Sequence, residues 1–159
     1  LILVAPVFNE EKVVVRFLER VLAVGGEVDI RGVVIVDDGS TDSTCDAIRD
    51  FLSRAPGPRP RVRLLRLSRN FGHQVAVVAG IQAAVAWAEQ AGFPFVGLID
   101  ADLQDRPEDL KALLSAVYEG ALVPFDTALT IEARWFTSVL MNPSSSAMIR
   151  SPSLTPSCS

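Results

Sequence analysis

Short apolar runs that end in small or acidic residues alternate with helix-period segments, and this rhythm constrains the fold more than any other feature of the chain. It is the sequence form of repeated βα units around a largely parallel sheet. Residues 1–4, 33–36, 62–67 and 95–99 read as buried strands. After the first of them, Asn9 is placed to cap a helix with Glu10 and Glu11 in its first turn. The apolar positions Val14, Phe17, Leu18, Val21 and Leu22 of that helix follow the i, i+3, i+4, i+7, i+8 spacing of one core-facing stripe. A second helix opens within residues 40–43 and buries Cys45, Ile48 and Leu52, and a third covers residues 75–90. The fourth takes Asp105 as N-cap and Pro107 near its first position, with Leu110, Leu113, Leu114 and Val117 on one face.

A length of 159 residues suits one domain. With 49% hydrophobic and 21% charged residues and a mean hydropathy of +0.31, the chain lies far from disordered compositions. Fifteen basic against nineteen acidic residues leave a net charge of −4, and the arginines are dispersed, which argues against a clamp for a nucleic-acid backbone. Cys45 and Cys158 are too few and too far apart for a disulfide framework or a structural zinc site, so a reducing compartment is expected. The most apolar stretch, residues 75–88, is broken by Gly80 and Gln82 and falls short of the roughly 20 residues of a membrane span. No secretory leader is visible, and the missing initiator Met points to a fragment.

Three polar clusters fall at the carboxyl ends of expected strands, which in an open parallel sheet share one ligand-binding rim. The first is Pro6-Val7-Phe8-Asn9-Glu10, which a capped helix start would also explain. The second, residues 36–44, sets Asp37 beside Asp38; neighbours in an extended chain point to opposite sides, so one can face a ligand while the other holds the turn. The third is Asp100-Ala101-Asp102-Leu103-Gln104-Asp105. In an extended segment Asp100 and Asp102 project the same way, and two carboxylates at roughly 4 Å repel by about 4 kcal/mol at an effective dielectric near 20. A divalent cation removes that cost, and Mg²⁺ or Mn²⁺ held by one or two carboxylates keeps positions open for phosphate oxygens.

Between the last two clusters, residues 66–74 contain the only His, His73, together with Arg66, Arg69, Asn70 and Gly72, a composition suited to a loop on an anionic phosphate. A lone His is more often structural than catalytic. Trp87 and Trp135 sit at helical spacings and read as packing residues, as does Cys45. A phospho-receiver would need a Lys at a later strand end, yet Lys12 and Lys111 fall within helices. Phosphate loops of the GxxxxGK[ST] or GxGxxG kind are absent.

The segments PVFNEE, VDDGSTDST, LSRNFGHQ and DADLQD, in this order, resemble the family-2 glycosyltransferases, and the last two resemble the branch that moves a sugar onto a polyprenyl phosphate, dolichyl or undecaprenyl. The resemblance covers residue 1 to about residue 120. It implies an α/β GT-A fold, Rossmann-like with a mostly parallel sheet between helices and incomplete at the C-terminus. It also implies an inverting transfer from a UDP- or GDP-linked sugar and a requirement for Mg²⁺ or Mn²⁺. By motif match Pro6, Phe8, Glu10, Val36 and Asp38 line the nucleoside pocket, and Asp100, Ala101, Asp102 and Gln104 serve the sugar diphosphate. The same match implies Asp102, the leading candidate, and Gln104 as metal ligands, and Arg69, Asn70 and His73 as a candidate phosphate or acceptor loop. Phe8 stands where many relatives carry Tyr, and Arg106 where a second Pro is common.

Residues 1–120 thus read as a nucleotide-sugar-binding domain and residues 121–159 as an atypical tail. Residues 127–140 are able to form a helix, and residues 142–159, rich in Ser and Pro, read as disordered. The family would continue after Gly120 with a strand, an Arg-bearing segment for the diphosphate and an acceptor-binding helix, none recognisable here. Asp126 and Glu132 are the only carboxylates of the tail, and Arg134 and Arg150 lack the expected context, so the catalytic base is unassigned. Two functions follow: a polyprenyl-phosphate glycosyltransferase at the cytoplasmic face of a membrane in the intact parent, or a truncated remnant that binds nucleotide and metal without catalysis. The second predicts weak nucleoside-diphosphate binding and no appreciable transfer by this chain.

Overall fold

A computed structural model of the chain describes residues 1–54, 60–118 and 147–150. The elements run β1 (Ile2–Val7), α1 (Val14–Val24), β2 (Gly32–Asp37), α2 (Thr44–Arg54), β3 (Arg61–Arg66), α3 (His73–Ala91), β4 (Phe95–Leu98), a 3-10 turn (Pro107–Asp109) leading into α4 (Leu110–Tyr118), and β5 (Ala147–Arg150). The sheet order is β3-β2-β1-β4-β5. The first four strands are parallel, and β5 pairs antiparallel on β4, Phe95 opposite Arg150. This strand falls in the segment expected to be disordered. The apolar run Ala147-Met148-Ile149 is long enough for an edge strand but too short to register against the Ser and Pro around it. The helix expected over residues 127–140, Trp135, Cys158 and the candidate tail residues Asp126, Glu132 and Arg134 lie outside the described residues.

β1, β2 and β4 are buried on both faces, so their alternate residues feed two cores. Leu3, Ala5, Val33 and Ile35 meet Phe17, Leu18 and Val21 of α1 and Ile48 of α2 on one side. Ile2, Val4, Val34, Val36, Val96 and Leu98 meet α3 on the other, including Ala84, Trp87 and Ala88. α3 lies close to the sheet because Gly80 has no side chain; a Cβ there would come within 2.4 Å of Val4 Cγ1 and 2.8 Å of Val36 Cγ2. Trp87 and Cys45 are buried, in keeping with a packing role.

β3 differs from expectation: it is an edge strand with Arg61, Arg63 and Arg66 exposed, Arg63 resting 3.8 Å above the Trp87 ring. Its apolar residues mark contact with the sheet but not full burial. Two expected caps also differ. α1 begins at Val14, with Val13 at the cap position and no side-chain cap, while Asn9 adopts φ 56° well before it. Asp105 does not cap the fourth helix either; Arg106 stands there, and Asp105 accepts from the Asp100 N–H at 3.5 Å. In both places a polar residue able to cap is drawn into loop contacts instead.

β1 also runs three residues further than the sequence suggested, through Pro6, which pairs with Val36 of β2. β4 accompanies β1 only along Ile2–Val4, so the last residues of β1 have one open side, where a residue without an N–H is tolerated. The same early parting of β1 and β4 opens the carboxyl end of the sheet. The chain reverses its direction across the sheet between these two strands, the place where open α/β sheets bind ligands.

Candidate functional site

A cleft of about 500 Å³ occupies that position. Pro6, Phe8 and Glu10 reach it from the end of β1 and the loop after it, Asp38 from the end of β2, Asn70 from the loop before α3 and His73 from the first residue of α3, and Asp100, Ala101, Asp102 and Gln104 from the loop after β4. Four stretches far apart in the chain are thereby brought together. Of the residues singled out from sequence, Val36 and Arg69 are not on its wall: Val36 is fully buried against α3, and the Arg69 guanidinium lies 4.6 Å above the Phe71 ring. Val7 and Ala76 line the cleft without any polar signal that would have marked them.

The loops after β1 and β2 are laced together. The Asn9 N–H donates to Ser40 Oγ at 3.0 Å, and Asn9 Oδ1 accepts from the Thr41 N–H at 2.9 Å. The Glu10 N–H donates to Thr44 Oγ1 at 2.7 Å, and the Ser43 N–H to Glu11 Oε2 at 3.1 Å. These residues looked like two separate helix starts; spatial adjacency of β1 and β2 makes them one network. Ser40→Ala should cost about 1 kcal/mol in denaturant unfolding, because the buried hydroxyl is the acceptor for Asn9. No change in the unfolding midpoint would remove the lacing from the account of the rim.

The paired aspartates divide their work. Asp37, fully buried, accepts from the Ser40 N–H at 2.9 Å and holds the turn. Its other oxygen is 3.2 Å from Arg66 Nε but off the line a hydrogen bond requires, so charge attraction alone offsets its burial. Asp38 faces the cleft and also accepts from two backbone N–H groups, of Phe71 at 2.8 Å and Gly72 at 2.9 Å. Gly39 allows the approach: it adopts φ +68°, and a Cβ on it would sit 2.3 Å from the Arg69 carbonyl carbon.

The third cluster corrects the extended geometry expected of it. β4 ends at Leu98, the chain turns at Ala101 and Asp102, and Leu103 takes φ 68°. Asp102 Oδ1 accepts from the Gln104 N–H at 2.9 Å, a local turn that pulls the chain out of the strand. Asp100 is half-buried and Asp102 exposed, yet both border the cleft.

Glu10, Asp38, Asp100 and Asp102 make the cleft acidic, with His73 as its basic lining residue among those described. Burial raises the Glu10 carboxyl above its ordinary range, and Asp102 and Asp42 add to the shift. Burial likewise raises Asp100; His73 opposes this, while Asp102 and Asp105 reinforce it. Among the described residues no three His, Cys, Asp or Glu side chains are grouped to hold a metal ion. The hard oxygen donors of Asp102 and Gln104 nonetheless fit Mg²⁺ or Mn²⁺, ions commonly held by one or two protein groups with phosphate and water completing the shell.

The architecture is shared with residues 1–349 of TarS from S. aureus (TM-score 0.53, 22% identity), over 76% of this chain and 32% of that one. The same protein in complex with UDP-GlcNAc superposes with a TM-score of 0.51 at 23% identity, over 76% and 31% of the two chains. The fold is that of the GT-A glycosyltransferases. Residues 2–151 match the family described as Glycosyl transferase family 2, and the chain belongs to it. That match passes the point near Gly120 where the resemblance of the bare sequence stops, and takes in β5.

Curated relatives include the dodecaprenyl-phosphate galacturonate synthase of Rhizobium johnstonii, 36% identical over 71% of this chain and 31% of that protein. Another is the undecaprenyl-phosphate 4-deoxy-4-formamido-L-arabinose transferase of Pectobacterium carotovorum, 31% identical over 82% of this chain and 36% of that protein. The chain spans about a third of the length of these relatives.

Proposed function

We propose that this chain forms the donor-binding part of an inverting, metal-dependent transferase that passes a sugar from a nucleoside diphosphate to a polyprenyl phosphate. The observation that carries the reading is the gathering of Glu10, Asp38, Asp100 and Asp102 around one cleft at the carboxyl ends of the strands. The acceptor class rests on the names of the relatives, both polyprenyl-phosphate sugar transferases.

In this reading Pro6, Phe8, Glu10 and Asp38 receive the nucleoside, the carboxylates accepting hydrogen bonds from base or ribose. Asp100 and Ala101 border the sugar diphosphate, and Asp102 with Gln104 would hold the cation. When bound, Mg²⁺ or Mn²⁺ neutralises the diphosphate as it departs. Asn70 and His73, on the cleft wall, would meet a phosphate of donor or acceptor, with Arg69 outside the wall. No helix among the described residues is long and apolar enough to cross a membrane. The cytoplasmic face of a membrane is the place proposed for the longer protein.

An acidic cleft repels a free diphosphate, so nucleotide binding should depend on the cation. Calorimetric titration with UDP and GDP, in Mn²⁺ and then in chelator, is expected to give binding of one nucleotide in Mn²⁺ alone. Equal affinity in chelator would remove the metal from the reading, and binding of neither nucleotide would remove the donor site.

A further inference from the structure

The Asp38 carboxylate has a partner that nucleoside recognition does not call for. It is 3% exposed, and its two oxygens each accept one backbone N–H from consecutive residues, Phe71 to Oδ1 and Gly72 to Oδ2. The Asp38 N–H is itself held by the Val7 carbonyl at 2.9 Å, so the carboxylate is a fixed post on the sheet. What it grips is the junction where the loop after β3 becomes α3. Gly72 is the cap residue there, at φ 97° and ψ 151°, a conformation open in practice to glycine alone, and no side chain caps the helix. Asn70 lies just before the gripped amides and His73 just after them, and both are on the cleft wall. Gly39, packed against the backbone of Arg69 and Asn70, closes the same junction from the next residue.

We propose that Asp38 is a positioning residue that, through the amides of Phe71 and Gly72, fixes to the cleft the junction carrying Asn70 of the loop and His73, the first residue of α3. The proposal deepens the reading of the cleft as a donor site and rests on it. Each Asp38 oxygen commits one lone pair to an amide and keeps another for a ligand, so one carboxylate both meets the donor and sets the stretch of wall that holds Asn70 and His73. Donor binding and loop placement are then coupled through this residue.

Two isosteric or small changes test this. Asp38→Asn replaces one acceptor oxygen with an amide group that meets a backbone N–H donor to donor. Gly72→Ala leaves Asp38 intact and meets nothing within 4 Å, but cannot hold the glycine conformation without strain. In the nucleotide-free chain, Asp38→Asn should speed hydrogen exchange at least about tenfold at whichever of the Phe71 and Gly72 amides faces the new NH2 group, while the β2 amides keep their protection. With UDP or GDP and Mn²⁺, each single variant should weaken binding by about fivefold or more, and the double variant should lose little beyond the larger single loss, as sites sharing one interaction do. Unchanged exchange at the two amides, or additive losses in the double variant, would overturn the proposal. If the unaltered chain binds neither nucleotide, the donor reading fails and the exchange measurement alone decides the latch. Should Asp38→Asn not fold, the amide exchange and nucleotide affinity of Gly72→Ala take its place, unaffected values again counting against the proposal.

Discussion

Gly39→Ala should destabilise the chain by about 2–5 kcal/mol. A non-glycine residue in the left-handed region costs about 1–2 kcal/mol, and forcing an extra carbon into a filled space typically another 1–3. Gly39 incurs both: its φ is +68°, and the new Cβ would lie 2.3 Å from the Arg69 carbonyl carbon, 2.6 Å from the Asn70 nitrogen and 2.7 Å from Arg69 Cα. All three are backbone atoms, so no side chain can swing aside. At about 2–4 °C per kcal/mol for a domain of this size, the thermal midpoint should fall by roughly 4–20 °C. Gly26→Ala is the control, since a Cβ there meets nothing within 4 Å. A Gly39→Ala midpoint equal to that of the control would mean that the loops after β2 and β3 are not packed as described.

Asp102→Asn should abolish the cation dependence of nucleotide binding and leave folding untouched. Asp102 is exposed, and its Oδ1 contact to the Gln104 N–H can be kept by the asparagine side-chain oxygen, so unfolding should occur at the same midpoint. If the proposed donor site is right, the charge that would draw a divalent ion is lost, and with it the neutralisation a diphosphate would need in a cleft that still holds Glu10, Asp38 and Asp100. In Mn²⁺ the variant's nucleotide affinity should drop by at least about tenfold, equivalent to about 1.4 kcal/mol, and in chelator it should equal that of the unaltered chain. Retention of a full Mn²⁺ effect would place the cation on other groups.

Much of this site is legible in the residues because it is built from strand ends. Once residues 33–36 and 95–99 are read as strands, the acids that follow them must emerge along the same rim, and Asp38, Asp100 and Asp102 do so. Side-chain chemistry alone misassigned Asn9 and Asp105. Either residue can cap a helix, and a linear sequence does not say that Asn9 has the Ser40–Thr41 turn as its neighbour. Asp100 and Asp102 do share the cleft, but not through the i, i+2 projection of an extended strand, since the strand ends before them and a turn brings them there.

The sequence by itself determined the parallel βα order, the two-sided burial of β1, β2 and β4, and the four motifs that border the cleft. Each follows from local rules: apolar runs bury, acids and glycines end strands, and successive βα units align their carboxyl ends. Only the tertiary structure decided that β3 is an exposed edge, that a four-residue strand from the Ser- and Pro-rich tail pairs on β4, and that Asp38 grips the amides ahead of α3. These depend on which strands become neighbours and which backbone groups meet across 30 or more residues. That information resides in the packing of the whole sheet, where the choice of partner for one segment depends on the partners already taken by the others.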